Sequence, residues 1–159
     1  MGVFFFFLRR RDPETVVQTI AQLCQTRLPK NMGIPATEIQ VLSPTRKGET
    51  GTKNLNLALQ AVLNPPAAGK KEKRYGDFSF REGDRVMQIR NNYDILWKNP
   101  NGLGAGTGIF NGDIGVIVQI DYEAELVTVD FDDKRAEYAF DLLGELEPAY
   151  AMTVHKSQG

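Results

Sequence analysis

The chain has 159 residues, 42% hydrophobic and 25% charged, with a net charge of -1. This composition excludes collagen-like, wholly disordered and membrane-bundle proteins, and the length suffices to bury a core without staples. A single cysteine, Cys24, excludes a disulfide framework, a thioredoxin pair and a cysteine zinc cluster, and points to a reducing, cytosolic compartment.

The first apolar run, Val3 to Leu8, holds four consecutive phenylalanines. It is too short for a signal peptide, its basic residues Arg9, Arg10 and Arg11 follow rather than precede it, and no small-residue cleavage site comes after. No span is long enough to cross a bilayer. The run therefore reads as a strand buried on both faces.

Asp12-Pro13-Glu14 then opens a helix: Asp12 caps it, Pro13 fits the first helical position and Glu14 favours the positive end of the dipole. Val16, Val17, Ile20, Ala21, Leu23 and Cys24 recur at helical spacing, and Leu28-Pro29 is expected to end the helix. A polar loop leads to a short strand, Ile39 to Leu42, terminated by Ser43-Pro44. Strand, helix, strand is the grammar of a parallel α/β unit. A second helix is predicted over 52–63, with Leu55, Leu59 and Val62 on one face.

The stretch from Asn64 to Arg74 has prolines, small residues and charges but no apolar period, and reads as a linker. Beyond it the period changes to two. Arg85 to Ile89, Ile114 to Ile120, Leu126 to Phe131 and Glu137 to Phe140 read as short strands separated by turns, which suggests a five-stranded SH3-like barrel. Lys98 to Gly108, rich in Gly and Asn, reads as a loop, with Trp97 either a stacking ring or a lid over the barrel. Ala149 to Val154 is another apolar strand that runs into a polar loop. The sequence stops where a covering helix is expected, so the chain reads as truncated.

Charge divides the same way. Residues 1–75 hold 12 Lys and Arg against 5 Asp and Glu, and residues 76–159 hold 7 against 15. A basic half suits a polyanion, although a solvated charged surface gives the same counts.

Three segments carry candidate chemistry. Ser43-Pro44-Thr45-Arg46-Lys47-Gly48 sits at the carboxyl end of a predicted parallel strand, where open α/β sheets bind ligands, and its hydroxyls and cations can hold phosphate oxygens. An ordinary surface loop has the same look. Thr153-Val154-His155-Lys156-Ser157-Gln158-Gly159 lies at another strand end. His155 is the one histidine, so a histidine metal cage is excluded, and no nucleophile and base are paired for hydrolysis. Gln88 to Asp94, with Phe110 to Asp113, offers amides, Arg90 and aromatics such as Tyr93 to single-stranded nucleic acid, or simply turns of the barrel. No G-x-x-x-x-G-K-[ST] phosphate loop is present, so this chain alone is not expected to hydrolyse ATP.

These blocks, together with Phe4 to Arg9, Gln40 to Gly48, Gly83 to Asp94, Phe110 to Gly115 and Tyr150 to Gly159, run in order over nearly the whole chain and resemble the C-terminal motor region of RecD-like superfamily 1 DNA helicases, the exodeoxyribonuclease V alpha chain family. The resemblance implies an α/β plus all-β fold: a partial second RecA-like domain (residues 1–66 and 149–159), a linker (67–75) and an SH3-like barrel insertion (76–148). It implies single-stranded DNA on Ser43, Thr45, Arg46, Lys47, Asn92, Tyr93, Thr153, His155 and Lys156, with Gln158 and Gly159 on the nucleotide side. In the parent, ATP and Mg would bind between two RecA-like domains and drive 5'–3' translocation in DNA repair and recombination. The partners implied are the first RecA-like domain and other recombination subunits, in a bacterial cytoplasm and without a membrane. A stand-alone SH3-like nucleic-acid-binding module is the alternative.

Overall fold

A computed structural model describes residues 5–157. Asp12 accepts a hydrogen bond from the Thr15 amide and starts α1 (Pro13–Gln22), as the sequence predicts. The helix does not end at Leu28-Pro29. It widens into a π-helical segment, Leu23–Arg27, and continues as α2 (Leu28–Met32). Shifting the ladder by one residue lets the Leu28 amide reach the Leu23 carbonyl, and Pro29, which has no amide, enters at the first turn of α2 where none is needed. Gly33, at φ 67°, ends the run in the left-handed region that suits glycine.

β1 (Val41–Ser43) pairs in parallel with β11 (Ala151–Thr153), in the register Val41 to Ala151, Leu42 to Met152 and Ser43 to Thr153. α3 (Thr52–Leu63) has the predicted bounds. Leu55 and Leu59 on it pack with Cys24, Tyr150 and Ala151 in a small core beneath α1. The expected strand over Val3 to Leu8 is not formed among the described residues: Phe5, Phe6 and Phe7 are 88%, 68% and 79% exposed. The sheet of β1 consists of β1 and β11, and no described strand pairs with the phenylalanine segment.

The stretch expected to be a linker is partly structured. Its end forms β2 (Glu72–Tyr75), in an antiparallel hairpin with β3 (Phe78–Arg81), and Asn64 at its start is buried. The remaining strands are β4 (Arg85–Gln88), β5 (Asn92–Lys98), β6 (Ala105–Ile109), β7 (Ile114–Asp121), β8 (Leu126–Phe131), β9 (Lys134–Ala139) and β10 (Leu146–Pro148). They form one antiparallel sheet in the order β10-β4-β7-β8-β9-β5-β6. Leu146 and Ile109, from the strands at its two ends, share a core with Val86, Ile117, Val129 and Tyr138. The sheet is therefore curled around that core, the half-barrel expected of an SH3-like unit, with seven strands rather than five.

Two departures have local causes. The segment read as a glycine-rich loop contains β6, which pairs with β5; the Trp97 indole lies across Gly106, where a Cβ would stand 2.6 Å from the ring. In β7 a bulge between Ile117 and Gln119 resets the alternation, so Ile117 and Ile120 both face the core while Ile114, Val116 and Val118 face outward. A 3-10 segment, Phe140–Glu145, links β9 to β10, and α4 (Val154–Ser157) follows β11. Among the described residues no helix is long and apolar enough to cross a membrane.

Candidate nucleic-acid interface

The parallel register Ser43 to Thr153 sets the ends of β1 and β11 side by side, so the first candidate loop and the second candidate segment, which the sequence reads as a polar loop but which begins as the short helix α4, emerge from one edge. The first loop is tightly wound. Ser43 is buried, and its hydroxyl faces the Thr50 carbonyl at 2.8 Å and the Thr45 carbonyl at 3.2 Å. It therefore shapes the loop from inside. The Thr52 and Lys53 amides, at the start of α3, donate to the Thr45 and Arg46 carbonyls at 3.0 and 3.2 Å. The helix thus spends these amides on its own loop, and an anion beside it must be met by side chains.

Those side chains are Arg46, Lys47 and Lys53, which line one wall of a groove of about 690 Å³ between this loop, α3 and the curled sheet. Tyr75, Phe78 and Leu57 contribute apolar surface, and Glu147, Pro148 and Asp77 complete the rim. Arg46 is ion-paired with Glu147 of β10, and Lys53 with Asp77 of the β2–β3 turn at 2.9 Å. The hydrogen bond and charge of Lys53 hold the Asp77 carboxyl below its usual range. Thr45 is exposed, its hydroxyl 3.3 Å from the Lys47 amide. Thr153 is half-buried and His155 exposed. The Lys156 side chain, Gln158 and Gly159 lie outside the described residues.

The third candidate segment divides. Gln88 is wholly buried, accepting from the Tyr138 phenol at 2.7 Å and donating to Glu145 at 2.9 Å. Asn92 also donates to Glu145, at 3.0 Å. Tyr93 is 67% exposed and meets Phe110 edge-on at 5.4 Å, with the Lys134 ammonium 5.9 Å from the Phe110 ring. Tyr93 thus stands on a different patch of the sheet from the groove-lining residues.

Sequence reasoning missed the polar side chains that fix the groove's two walls. Asn56, Gln60 and Asn64 repeat every four residues on the buried face of α3 and at its end, a spacing visible in the sequence. Asn56 brackets β11, accepting from the Ala151 amide at 2.8 Å and donating to the Ala151 carbonyl at 2.9 Å. Gln60 and Asn64 donate to the buried carboxylate of Asp84 at 2.8 Å each, and the Arg81 amide and the Tyr150 phenol complete its shell at 2.8 and 2.7 Å. Burial, with the Asp84 charge next, pushes the Tyr150 phenol well up from its ordinary value.

A buried carboxylate thus joins the half-barrel to the parallel strand pair, and a groove with cationic and aromatic lining runs along the seam. Residues 55–131 match the family model described as the ATP-dependent RecD-like DNA helicase SH3 domain. Over 82% of its length the chain is 36% identical to the ATP-dependent RecD2 DNA helicase of Deinococcus radiodurans, and over 94% of its length 29% identical to the uncharacterized protein MJ1519 of Methanocaldococcus jannaschii. The chain is therefore similar to a segment of RecD-like helicases, with residues 55–131 corresponding to their SH3 domain. It spans 16% and 14% of the lengths of these two relatives and so corresponds to a small part of each.

Proposed function

We propose that the chain is the part of an ATP-dependent 5'–3' DNA helicase that grips single-stranded DNA from one side of the motor. Residues 1–66 and 149–159 are then pieces of the second RecA-like domain and residues 76–148 its SH3-like insertion, with the β2–β3 hairpin belonging to the same barrel side. The observation that carries this reading is the pairing of Ser43 with Thr153, which sets the first strand-end loop, beside a groove with cations on one wall and aromatic rings on the other, next to the start of α4. Arg46, Lys47 and Lys53 suit phosphates, and Tyr75 and Phe78 suit bases, a division that holds a strand without reading its sequence. Thr45, Thr153 and His155 extend the polar surface along the same edge, Lys156 is proposed to join them in holding the strand, and Tyr93 with Phe110 offers a second stacking surface on the barrel.

We assign ATP and Mg to the parent protein rather than to this chain. The Thr52 and Lys53 amides at the start of α3 are engaged by the Thr45 and Arg46 carbonyls, and the sequence has no phosphate loop, so no step of hydrolysis is assigned to this chain. Nucleotide is expected to be held chiefly by the first RecA-like domain, with Gln158 and Gly159 approaching it from this side.

The test is fluorescence anisotropy with labelled single-stranded DNA at two salt concentrations, comparing the chain with a Thr45→Ala/Arg46→Ala/Lys156→Ala variant. Salt-sensitive binding that the variant loses supports the reading. Absence of binding, or binding equal in both, sinks it.

A further inference from the structure

Both ion pairs in the groove join the same two walls. The cations Arg46 and Lys53 come from the loop and α3, and the carboxylates Glu147 and Asp77 come from the barrel side. We propose that Glu147 and Asp77 act as an electrostatic latch, occupying the groove's phosphate-binding cations until single-stranded DNA displaces them. The proposal rests on the DNA reading of the groove given above.

The pairs are poorly placed to serve as structural stitching. The Arg46, Lys53 and Asp77 side chains are 63%, 72% and 80% exposed and Glu147 is 26% exposed, so solvent screens both pairs, Lys53–Asp77 the more, and they contribute little to stability. The two walls are already held by buried bonds: Gln60, Asn64 and Tyr150 on Asp84, and Asn56 on Ala151. What the pairs do change is the charge presented to a polyanion. With both closed, two of the three cations on the wall are neutralised. Lys47 makes no ion pair among the described residues and remains to meet the first phosphate. A strand of closely spaced phosphates can then outcompete the single carboxylates, and the Arg46 guanidinium, released from Glu147, can take a phosphate with two parallel hydrogen bonds. The cost of opening weak, exposed pairs is small, so the latch lowers affinity modestly and favours release, which suits a protein that must let go of DNA at every step.

The experiment measures binding of labelled oligo-dT by anisotropy for the chain and for Glu147→Gln, Asp77→Asn and the double variant. Asp133→Asn, an exposed turn carboxylate that does not line the groove, corrects for the general loss of negative charge. The same carboxylate changes are repeated in an Arg46→Ala/Lys53→Ala background, and thermal unfolding checks that each variant is folded. Relative to Asp133→Asn, each carboxylate variant is expected to bind up to about fivefold more tightly, and the gain is expected to vanish in the alanine background. If the chain binds and the alanine pair weakens it, but the double carboxylate variant gains no more than Asp133→Asn, the latch is overturned and the DNA reading stands. If no variant binds, both fall.

Discussion

The Tyr150 phenol donates to the Asp84 carboxylate at 2.7 Å, and through this bond the segment that precedes β11 is tied to the tight turn that opens the barrel strand β4. Asp84 is wholly buried, yet it accepts four hydrogen bonds, so its charge is compensated rather than stranded. Tyr150→Phe removes one of the four and should lower stability by about 1 to 2 kcal/mol. Asp84→Ala leaves a phenol, two amide groups and a backbone amide without their acceptor, and should cost roughly 3 kcal/mol or more. Denaturant unfolding of the two variants checks the ranking; equal and small losses would mean that the network does not weld the walls.

The same burial predicts an alkaline limb to the stability curve. Tyr150 and Tyr138 are both pushed up from the ordinary phenol value, each chiefly by burial. Unfolded phenols ionise at about pH 10 while the folded ones hold their protons, so the unfolded state binds fewer protons above that pH. Their contribution is present in full below about pH 10 and is lost as pH rises toward the folded values. Denaturation midpoints measured from pH 8 to 11 should fall at the alkaline end, and Tyr138→Phe/Tyr150→Phe should flatten that fall while lowering the plateau. An identical alkaline slope in the variant would assign the loss to other groups.

Much of this arrangement can be read from residue patterns where the relevant contacts are local. Leu55 and Leu59 at helical spacing, with Gly51 before and Asn64-Pro65 after, give α3 its observed bounds. The alternation in 126–131 gives β8. The β5–β6 hairpin is illegible because Ala105 to Ile109 is rich in glycine, and what makes it a strand is the Trp97 ring of the neighbouring strand lying over Gly106. The phenylalanine run fails in the opposite direction: its composition suits a buried strand, but burial depends on a neighbour, and none of the described strands pairs with it. In the groove, Arg46 and Lys47 announce themselves by charge. Gln60 and Asn64 resemble ordinary solvent-facing helix residues until Asp84, 24 and 20 residues further on, is brought beneath them.

Gly51 controls the loop that carries Arg46 and Lys47. A Cβ at this position would lie 2.3 Å from the Lys47 carbonyl oxygen and 2.6 Å from that of Arg46, and both are backbone atoms that cannot swing away. Its own backbone is extended, so the demand is for space rather than for an unusual dihedral. Gly51→Ala must push the loop off α3 and break the Thr52 and Lys53 amide contacts to Thr45 and Arg46. A loss of about 1 to 3 kcal/mol is expected from the overlap. Amide exchange at Thr52 and Lys53 should accelerate in the variant; unchanged protection at both would show that the loop absorbs the methyl group.

Trp97 is the one tryptophan in the sequence and reports directly on the β5–β6 hairpin. Its ring covers Gly106, and the Lys134 ammonium sits 5.2 Å from the ring centre. A Cβ on Gly106 would stand 2.6 and 2.9 Å from two ring carbons, so Gly106→Ala should lift the indole toward water and shift its emission to the red. Lys134→Met removes the cation and leaves the space beneath the ring unchanged, so it should keep the emission maximum close to that of the parent chain and lower stability by about 0.5 to 1 kcal/mol. Emission spectra of the two variants, recorded with denaturant unfolding, separate the steric support from the electrostatic one. A red shift in Lys134→Met as large as that in Gly106→Ala would mean that the cation, rather than the glycine surface, holds the ring in place.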